Sequence, residues 1–220
     1  MTALMNAPKN PVNLAPLLWC WRHPRAIGAS GRCIGQTDLP VDARKARRLA
    51  HRIRAAVRRH GLPREVWVSP LQRSRDVGRV LAGWGWRVHI DARLMELNFG
   101  AWDGQPWSQI AWDEVDAWQA DLLHHAPGGG ESLASLALRV QAFVVEAQAL
   151  GRPRLVVTHG GWLNALQQLP LLLPPAARLA VADWPAAPRH GALLCWPGGD
   201  SSRCVCGSSH AGGGADEACR

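Results

Sequence analysis

Short apolar runs alternate with amphipathic segments along the chain, and this alternation predicts strands and helices in turn. The first apolar run, from Leu17 to Trp21, has the length of a buried strand and ends at Arg22-His23-Pro24. The segment between Asp42 and Gly61 predicts an amphipathic helix, with Asp42 as its N-cap and Gly61 as its stop signal. Its apolar residues recur every three or four positions, at Ala46, Leu49, Ile53 and Val57.

The same signals predict further strands at 65–68, 87–90 and 154–158. Further helices are predicted over 71–81, from Pro106 to about Leu123, over 131–150, and after Gly161. Strands and helices that alternate at this pace indicate an α/β fold. We therefore expect a three-layer sandwich, in which helices flank a largely parallel central sheet.

The length and composition suit one domain with a real core. The chain has 220 residues and 47% of them are apolar, which excludes disorder as the dominant state. From Pro197 onward, Gly, Ser, Cys and Asp replace the periodic apolar residues. We predict an N-terminal extension at 1–13, a domain at 14–197 and a flexible tail at 198–220.

Several segments bear on location and on metal sites. No apolar run approaches the roughly 18 residues of a membrane span, and the N-terminus lacks the basic and apolar regions of a secretory signal. A cytoplasmic location is expected, with no membrane partner. The six cysteines show no C-x-x-C spacing, so we expect reduced thiols and no zinc site. They are Cys20, Cys33, Cys195, Cys204, Cys206 and Cys219.

The net charge of +8 is concentrated in one predicted helix. Eight basic residues and one acidic residue lie between Asp42 and Arg59. Such a run could mark an anion or nucleic-acid surface. The favoured interpretation is a solvated helix face, because Arg outnumbers Lys 23 to 2 in the whole chain. The run also lacks Trp and Phe to stack on bases, so nucleic-acid binding is the less favoured function.

Polar residues of one kind follow three of the predicted strands. Arg22 and His23 follow the first strand, Arg73 lies just after the second, and His159 follows the strand at 154–158. Ligands of open α/β sheets bind at the carboxyl ends of the strands, so we expect these side chains to share one crevice. Taken singly, each could instead be a structural ion pair or a core histidine.

Such a crevice suits phosphoryl chemistry. Guanidinium groups match phosphoryl oxygens, and catalysis of phosphoryl transfer consists chiefly of positioning and positive charge. An imidazole can attack phosphorus in line. Glu96, in the loop after the third strand, is the candidate proton donor for the leaving oxygen. Its structural alternative is a salt bridge to Arg93.

Between about Leu17 and Leu169 the chain resembles the histidine phosphatase superfamily, with its phosphoglycerate-mutase-like fold. Six motifs keep the order of that family: the R-H turn at 22–23, G-R-x-x-G-x-x-D at 31–38, S-P-L-x-R at 69–73, E-x-x-F-G-x-W-[ED]-G at 96–104, P-G-G-x-E-S at 127–132 and T-H-G-G at 158–161. The resemblance implies roles for six residues. The catalytic ones are His23 as phosphorylated nucleophile, Glu96 as proton donor, and His159; the phosphate-binding ones are Arg22, Arg73 and Arg32.

The segment around Glu96 is similar to the phosphatase branch, including α-ribazole phosphatases of cobalamin synthesis, and lacks the E-R-H-Y-G pattern of glycolytic mutases. The resemblance implies a metal-independent, cofactor-free phosphomonoester hydrolase that acts on a small phosphorylated metabolite. Pro24 departs from the family's Gly and removes one backbone N–H. This leaves open a weak or inactive member that only binds phosphorylated ligands. The oligomeric state also stays open, a homodimer included.

Two tryptophans suggest how a substrate ring could be held. On the predicted helix after Pro106, Trp112 lies off the apolar face. With Trp102 it could stand over the crevice and stack on a flat ring, such as that of α-ribazole 5′-phosphate. The alternative for Trp112 is a surface residue without a role.

Overall fold

The computed structural model describes residues 16–174 and 176–197, so the predicted extension at 1–13 and tail at 198–220 lie outside the described residues. The strands are β1 (Leu18–Arg22), β2 (Glu65–Val68), β3 (Arg87–Ile90), β4 (Arg154–Thr158) and β5 (Leu193–Trp196). The α-helices are α1 (Ala43–His60), α2 (Gln72–Ala82), α3 (Trp112–Ala120), α4 (Leu133–Leu150) and α5 (Gly160–Leu172).

The five strands form one sheet in the order β3-β2-β4-β1-β5. The first four strands run parallel to one another, and only β5 is antiparallel, pairing with β1 at the edge. The predicted α/β class with a largely parallel sheet is therefore confirmed. The strand β5 was not predicted. It has only four residues and, because it is antiparallel, it does not need the helical crossover that helps to identify a parallel strand in the sequence.

Two apolar layers sit on opposite faces of the sheet. Side chains of α4 and α5 form one layer, which includes Phe143 and Trp162. Side chains of α1 and α2 form the other, which includes Ile53 and Leu81. Strand residues alternate between the layers, so the sheet is covered on both sides as a buried parallel sheet requires. The predicted three-layer sandwich is confirmed.

The local signals of α1 act as predicted. The Asp42 side chain accepts hydrogen bonds from the backbone N–H of Arg44 and Lys45, and Gly61 ends the helix in the left-handed conformation at φ 62°. The predicted apolar positions are buried, which leaves the basic residues on the outer faces.

The helix predicted from Pro106 is wrong at its start. A short 3₁₀ turn over Trp107–Gln109 ends at Ile110, whose backbone is extended, and α3 begins only at Trp112. Ile110 is buried in a small apolar cluster with Cys33 and Trp102. Burial of this side chain interrupts the helical path and changes which faces the neighbouring tryptophans present.

One helix of the described part, α4, is long and apolar enough to cross a membrane by length and composition. Its buried residues, among them Val140 and Phe143, pack in the same core layer as α5. It is thus a core helix of the domain.

Three of the six cysteines lie in the described residues, and one of these differs from expectation; Cys204, Cys206 and Cys219 lie outside them. Cys20 and Cys33 are free and buried, and burial raises the pKa of the Cys33 thiol to about 12. Cys195, on the edge strand β5, is disulfide-bonded. The prediction of six reduced thiols is therefore wrong for Cys195, because sequence spacing does not show which cysteines meet in the fold.

Candidate active site

The carboxyl ends of three central strands bring the predicted polar segments together. In β1 and β4, Arg22 pairs in register with Thr158. The backbone N–H of His23 donates to the carbonyl of Thr158 at 2.9 Å, and that of Ser69 donates to the carbonyl of Val157 at 3.3 Å. A cavity of about 490 Å³ opens here. Of the predicted site residues, Arg22, His23, Arg32, Arg73 and Glu96 line it.

The backbone beside His23 sets its tautomer. Its Nδ1 lies 2.6 Å from the carbonyl oxygen of Pro24. A carbonyl can only accept, so Nδ1 carries the proton and the Nε2 lone pair is free. Burial, and then the Arg73 guanidinium, hold the pKa of His23 well below its usual range. The imidazole is therefore neutral and nucleophilic at neutral pH.

His159 presents the opposite tautomer. The Nε of Arg73 donates to His159 Nδ1 at 3.2 Å, and because an arginine can only donate, the proton of His159 must sit on Nε2. That Nε2 is buried and has no hydrogen-bond partner among the described residues. Burial lowers the pKa of His159, as do His23 and Arg73, and the rings of His23 and His159 are 4.9 Å apart. His159 thus offers a free N–H donor beside the His23 imidazole.

Two guanidiniums, that of the buried Arg73 and that of the partly buried Arg22, add positive charge to the cavity. Arg73 is almost fully buried, and it donates from Nη1 to the carbonyl of Thr37 at 2.7 Å and from Nη2 to the carbonyl of Gly35. Arg22 donates from Nη1 to the carbonyl of Pro188 at 2.6 Å, while its Nε has no partner within the described ranges.

Burial lowers the pKa of both guanidiniums, and the nearby Glu96 carboxylate opposes that shift. Each guanidinium has five N–H groups, so Arg22 and Arg73 both keep donors for an anion. Arg32 differs from them: it is exposed at the rim, where its Nη1 donates to the carbonyl of Gly104 at 2.8 Å.

Glu96 lies at the N-terminus of α5. Its Oε1 accepts from the backbone N–H groups of Leu97 and Trp162, both at 3.1 Å, and its Oε2 accepts from Gly161 at 3.0 Å. A Cβ at Gly161 would lie 2.5 Å from Oε1, so only glycine lets the carboxylate approach this closely. The alternative salt bridge to Arg93 does not form, because Arg93 pairs with Asp91 and Glu146.

Arg139 on α4 holds the loop that carries Glu96. Its guanidinium donates to the backbone carbonyls of Arg93, Met95 and Glu96 at 2.9, 2.6 and 2.9 Å. It also binds both oxygens of Glu131, at 2.7 and 2.8 Å. The fork of one arginine thus fixes three carbonyls and a carboxylate. Arg139 was not predicted from the sequence, because its contacts with the three carbonyls join segments more than 40 residues apart.

We expect Arg139→Met to lower kcat for an alkyl phosphate about tenfold to a hundredfold, with a smaller change in KM, because a misplaced proton donor impairs chemistry more than binding. The variant should also lose about 1 to 3 kcal/mol of stability, since Glu131 and three carbonyls lose their donor. Steady-state kinetics and thermal unfolding measure both effects. Arg152→Met is the matched control, because it removes an ion pair with Glu65 that does not line the cavity. Equal kcat losses in the two variants would contradict a positioning role.

Asp103 organises the loop on which Arg73 rests. Its carboxylate accepts from the backbone N–H groups of Gly35, Gln36 and Thr37 and from the Thr37 hydroxyl. The carbonyls of Gly35 and Thr37 are those that bind Arg73. Asp103 therefore helps to orient the Arg73 guanidinium without touching it. Its place in the motif around Trp102 was a signal, but its partners are more than 60 residues away.

His190 also lines the active-site cavity and was not predicted from the sequence. It lies in the loop before β5, and its Nδ1 is 3.1 Å from the carbonyl oxygen of His23. The rings of His190 and His23 are 5.4 Å apart. Burial, and then the charge of Arg22, lower the pKa of His190. No motif of the chain pointed to it.

The predicted stacking pair is wrong in position. Trp102 is 2% exposed and packs edge-on against Trp118, with ring centres 5.8 Å apart. Trp112 is 81% exposed, and neither residue lines the cavity. Trp102 is buried in the cluster with Cys33 and Ile110, and Trp112 has the exposure expected of a surface residue. The aromatic residues that line the cavity are Phe99, Trp107 and Trp184.

Within the described residues, no group of three or more His, Cys, Asp or Glu side chains could hold a metal ion. The charged side chains that line the cavity are instead four arginines, Arg22, Arg25, Arg32 and Arg73, and the single carboxylate of Glu96.

The buried histidines predict a pH-dependent stability. In the unfolded chain a histidine titrates near pH 6.5, about its ordinary pKa, whereas burial lowers the pKa of His23 and His159 in the folded protein. As pH falls below about 6.5, the unfolded state binds these protons first, and each histidine costs up to about 1.4 kcal/mol of stability per pH unit. We expect Tm to fall between pH 7 and pH 5, and His159→Gln to flatten that slope. The exposed His124 supplies the control variant, His124→Gln, and an unchanged slope in His159→Gln would contradict the assignment.

Comparison with known proteins identifies the family to which this chain belongs. The sequence profile of the histidine phosphatase superfamily (branch 1) matches residues 18–182. The chain is 33% identical over 165 residues to a probable phosphoglycerate mutase, GpmB, of Yersinia enterocolitica serotype O:8 / biotype 1B, which covers 71% of this chain and 75% of that protein.

Two solved structures are similar to the fold. A mycobacterial glucosyl-3-phosphoglycerate phosphatase in complex with VO3 is 28% identical with a TM-score of 0.64, over 80% of this chain and 88% of the other. The α-ribazole phosphatase of Shigella flexneri has a TM-score of 0.63 at 24% identity, over 80% and 87%, and shows the fold alone.

The matched region includes all six motifs, from the R-H turn at 22–23 to the T-H-G-G turn at 158–161. The resemblance drawn from the motifs is thereby confirmed. On the family profile, and on the phosphatases among its relatives, the chain belongs to the histidine phosphatase superfamily (branch 1) and is a histidine phosphatase.

Proposed function

We propose that this enzyme hydrolyses phosphomonoesters through a phosphohistidine on His23. The observation that carries the proposal is the pair of opposite tautomers at the strand ends. His23 holds a free lone pair on Nε2, while His159 beside it holds a free N–H. A nucleophile next to an anion donor is the arrangement that attack on phosphorus needs.

Arg22, Arg73 and His159, which we refer to as the clamp, bind the phosphoryl oxygens in the proposed reaction. In the proposed reaction, the unused N–H groups of Arg22 and Arg73 and the Nε2–H of His159, which lies behind the cavity lining, bind the oxygens on which negative charge grows. These donors are buried, so their attraction to charge is stronger than it would be in water. Arg32 at the rim adds positive charge at the entrance.

Two steps complete the reaction. First, His23 Nε2 attacks phosphorus, the bond between phosphorus and the ester oxygen breaks, and Glu96 gives its proton to the leaving alkoxide. Second, the Glu96 carboxylate takes a proton from water, the water oxygen attacks phosphorus, and the P–N bond breaks. Phosphate leaves, and His23 and protonated Glu96 are regenerated. Oε2 of Glu96 accepts only one backbone N–H, which leaves room for the proton it must carry.

Pro24 supports turnover rather than mere binding. Its missing N–H removes one donor, but its carbonyl accepts the Nδ1–H of His23 and so maintains the nucleophilic tautomer. This contact favours an active enzyme over the alternative of an inactive phosphate-binding member.

The substrate class that we propose is a small phosphorylated metabolite, with α-ribazole 5′-phosphate as one candidate. The cavity has the volume of a small-molecule site, and its aromatic lining by Phe99, Trp107 and Trp184 suits a flat or apolar group beside the phosphate. A phosphorylated metabolite also suits the expected cytoplasmic location. Nucleic acid and membrane are not part of the proposal.

A screen of phosphate release tests the proposal. We expect p-nitrophenyl phosphate and several phosphorylated metabolites, α-ribazole 5′-phosphate among them, to release phosphate at rates that EDTA does not change. Enzyme quenched in acid during turnover should carry acid-labile phosphate. Binding of phosphorylated metabolites without release of phosphate would favour the binding-only alternative and contradict the proposal.

A further inference from the structure

A second cavity, of about 280 Å³, lies beside the active site. The N-terminal half of α1, the segment after the nucleophile and the loop before β5 enclose it. Its lining residues are Pro24, Arg25, Lys45, Arg48, Leu49, Arg52, His190 and Gly191. We refer to it as the basic cavity.

Part of the arginine-rich run of α1 lines the basic cavity. From the sequence, the favoured interpretation of this run is a solvated helix face. Lys45, Arg48 and Arg52 are spaced three and four residues apart, so they form one stripe along α1. Arg25 and His190 face this stripe from two other segments of the chain. Side chains from three segments thus converge on one concavity, which a merely solvated helix face does not require.

The basic cavity has no carboxylate in its lining, although Asp42, which caps α1, interacts electrostatically with Lys45 from outside it. None of the residues that line the basic cavity is acidic. Among the described residues, Arg25, Lys45, Arg48 and Arg52 form no ion pair, and the Arg25 side chain makes one long hydrogen bond, to the hydroxyl of Ser30 at 3.4 Å. Their guanidinium and ammonium donors therefore remain available to an anion.

The backbone accommodates one of these side chains closely. Gly191 is buried at φ 74°, and a Cβ there would lie 3.0 Å from Arg52 Nη1. The Arg52 guanidinium therefore lies over the backbone of this glycine, within the cavity wall. Gly191 N–H also donates to the carbonyl of Arg22 at 2.9 Å, which joins the wall to the active-site strand β1.

The two cavities share part of their lining. Arg25 and His190 line both of them. Pro24 and His190, which line the basic cavity, are also the residues that hydrogen-bond His23, through Nδ1 and through its carbonyl. An anion in the basic cavity would thus lie next to the groups that hold the nucleophile.

We propose that the basic cavity binds a phosphate or carboxylate group beside the active site, using Arg25, Lys45, Arg48 and Arg52. This group can come from either of two sources. It is a second anionic group on a substrate whose reacting phosphate lies between Arg22 and Arg73, or it is a separate anion. The first source rests on the proposed phosphatase function, and the second does not.

The first experiment uses a matched pair of substrates, hexane-1,6-diol bisphosphate and hexyl phosphate. A substrate-borne second anion is expected to raise kcat/KM of the bisphosphate at least tenfold above that of the monophosphate, well beyond the factor of two from its two reactive ends. The triple variant Lys45→Gln/Arg48→Gln/Arg52→Gln should bring the two values close together. Its matched control is Arg47→Gln/Arg58→Gln/Arg59→Gln, which removes the same charge from exposed positions of α1 outside the cavity and should keep the preference.

The second experiment measures binding without turnover. We expect calorimetric titration of pyrophosphate into the wild-type enzyme to show binding that weakens at least tenfold in the cavity triple variant and stays unchanged in the control triple variant. If the cavity triple variant loses pyrophosphate binding and the wild-type enzyme shows no preference for the bisphosphate, the ligand is a separate anion. If neither measurement distinguishes the two triple variants, the site does not exist. An enzyme that hydrolyses no phosphomonoester would refute the proposed function, while the titration would still decide on the basic cavity.

Discussion

His23→Ala is expected to lower kcat for every phosphomonoester by at least about 10⁴-fold, because removal of the covalent nucleophile leaves only the clamp. The fold should persist, since the backbone N–H of His23, which joins β1 to β4 through Thr158, is kept. The measurement is phosphate release under saturating substrate. Circular dichroism and thermal unfolding confirm that the variant is folded.

The phosphoenzyme provides an independent readout. Wild-type enzyme quenched during turnover should carry one acid-labile phosphate, and His23→Ala should carry none. His124→Ala, at an exposed histidine outside the cavity, serves as the control and should keep both activity and label. Normal turnover in His23→Ala would remove the mechanism altogether.

Glu96→Gln is expected to have the second-largest effect, and that effect should depend on the leaving group. An alkoxide must be protonated as it leaves, so kcat for an alkyl phosphate should fall about 10² to 10⁴-fold. Nitrophenolate needs little protonation, so cleavage of p-nitrophenyl phosphate should slow much less. The second step still needs Glu96 to activate water.

The two steps can be separated in the variant by rapid mixing. With p-nitrophenyl phosphate, Glu96→Gln should release a burst of nitrophenolate close to the enzyme concentration, followed by slow turnover as the phosphohistidine accumulates. The wild-type enzyme with the same substrate is the reference. If the burst rate falls as much as the alkyl phosphate rate, Glu96 positions groups at the site and does not donate the proton.

Local sequence signals were sufficient for much of the fold. The α1 helix follows from its cap at Asp42, its apolar period and the stop at Gly61, all of which act within a few residues. The strands β2, β3 and β4 have the predicted boundaries for the same reason. Three of the strand ends carry Arg or His. Because ligands of open α/β sheets bind at the carboxyl ends of the strands, this was sufficient to predict that His23, Arg73 and His159 lie close together.

Other features depended on packing between distant segments. The helix α3 begins later than predicted because Ile110 is buried against Cys33 and Trp102. The local periodicity of apolar residues does not indicate that contact. Trp102 has no stacking role because it is buried in that same cluster, and Trp112 is exposed outside the lining of the cavity. The strand β5 forms because its residues pair with the edge of β1. Its four residues alone carry little sequence signal for a strand.

The sequence by itself thus determined the α/β class, the order of the elements and the residues at the strand ends. These depend on periodicity, caps and turn residues, which act over short distances along the chain. Only the tertiary structure decided how those residues are held: the His23 tautomer beside Pro24, the loop held by Asp103, the Glu96 backbone fixed by Arg139, and the approach of His190. Apart from the contact with Pro24, these hydrogen bonds join residues 43 to 167 positions apart. Such contacts impose no period on the sequence, so the pattern of residues could not reveal them.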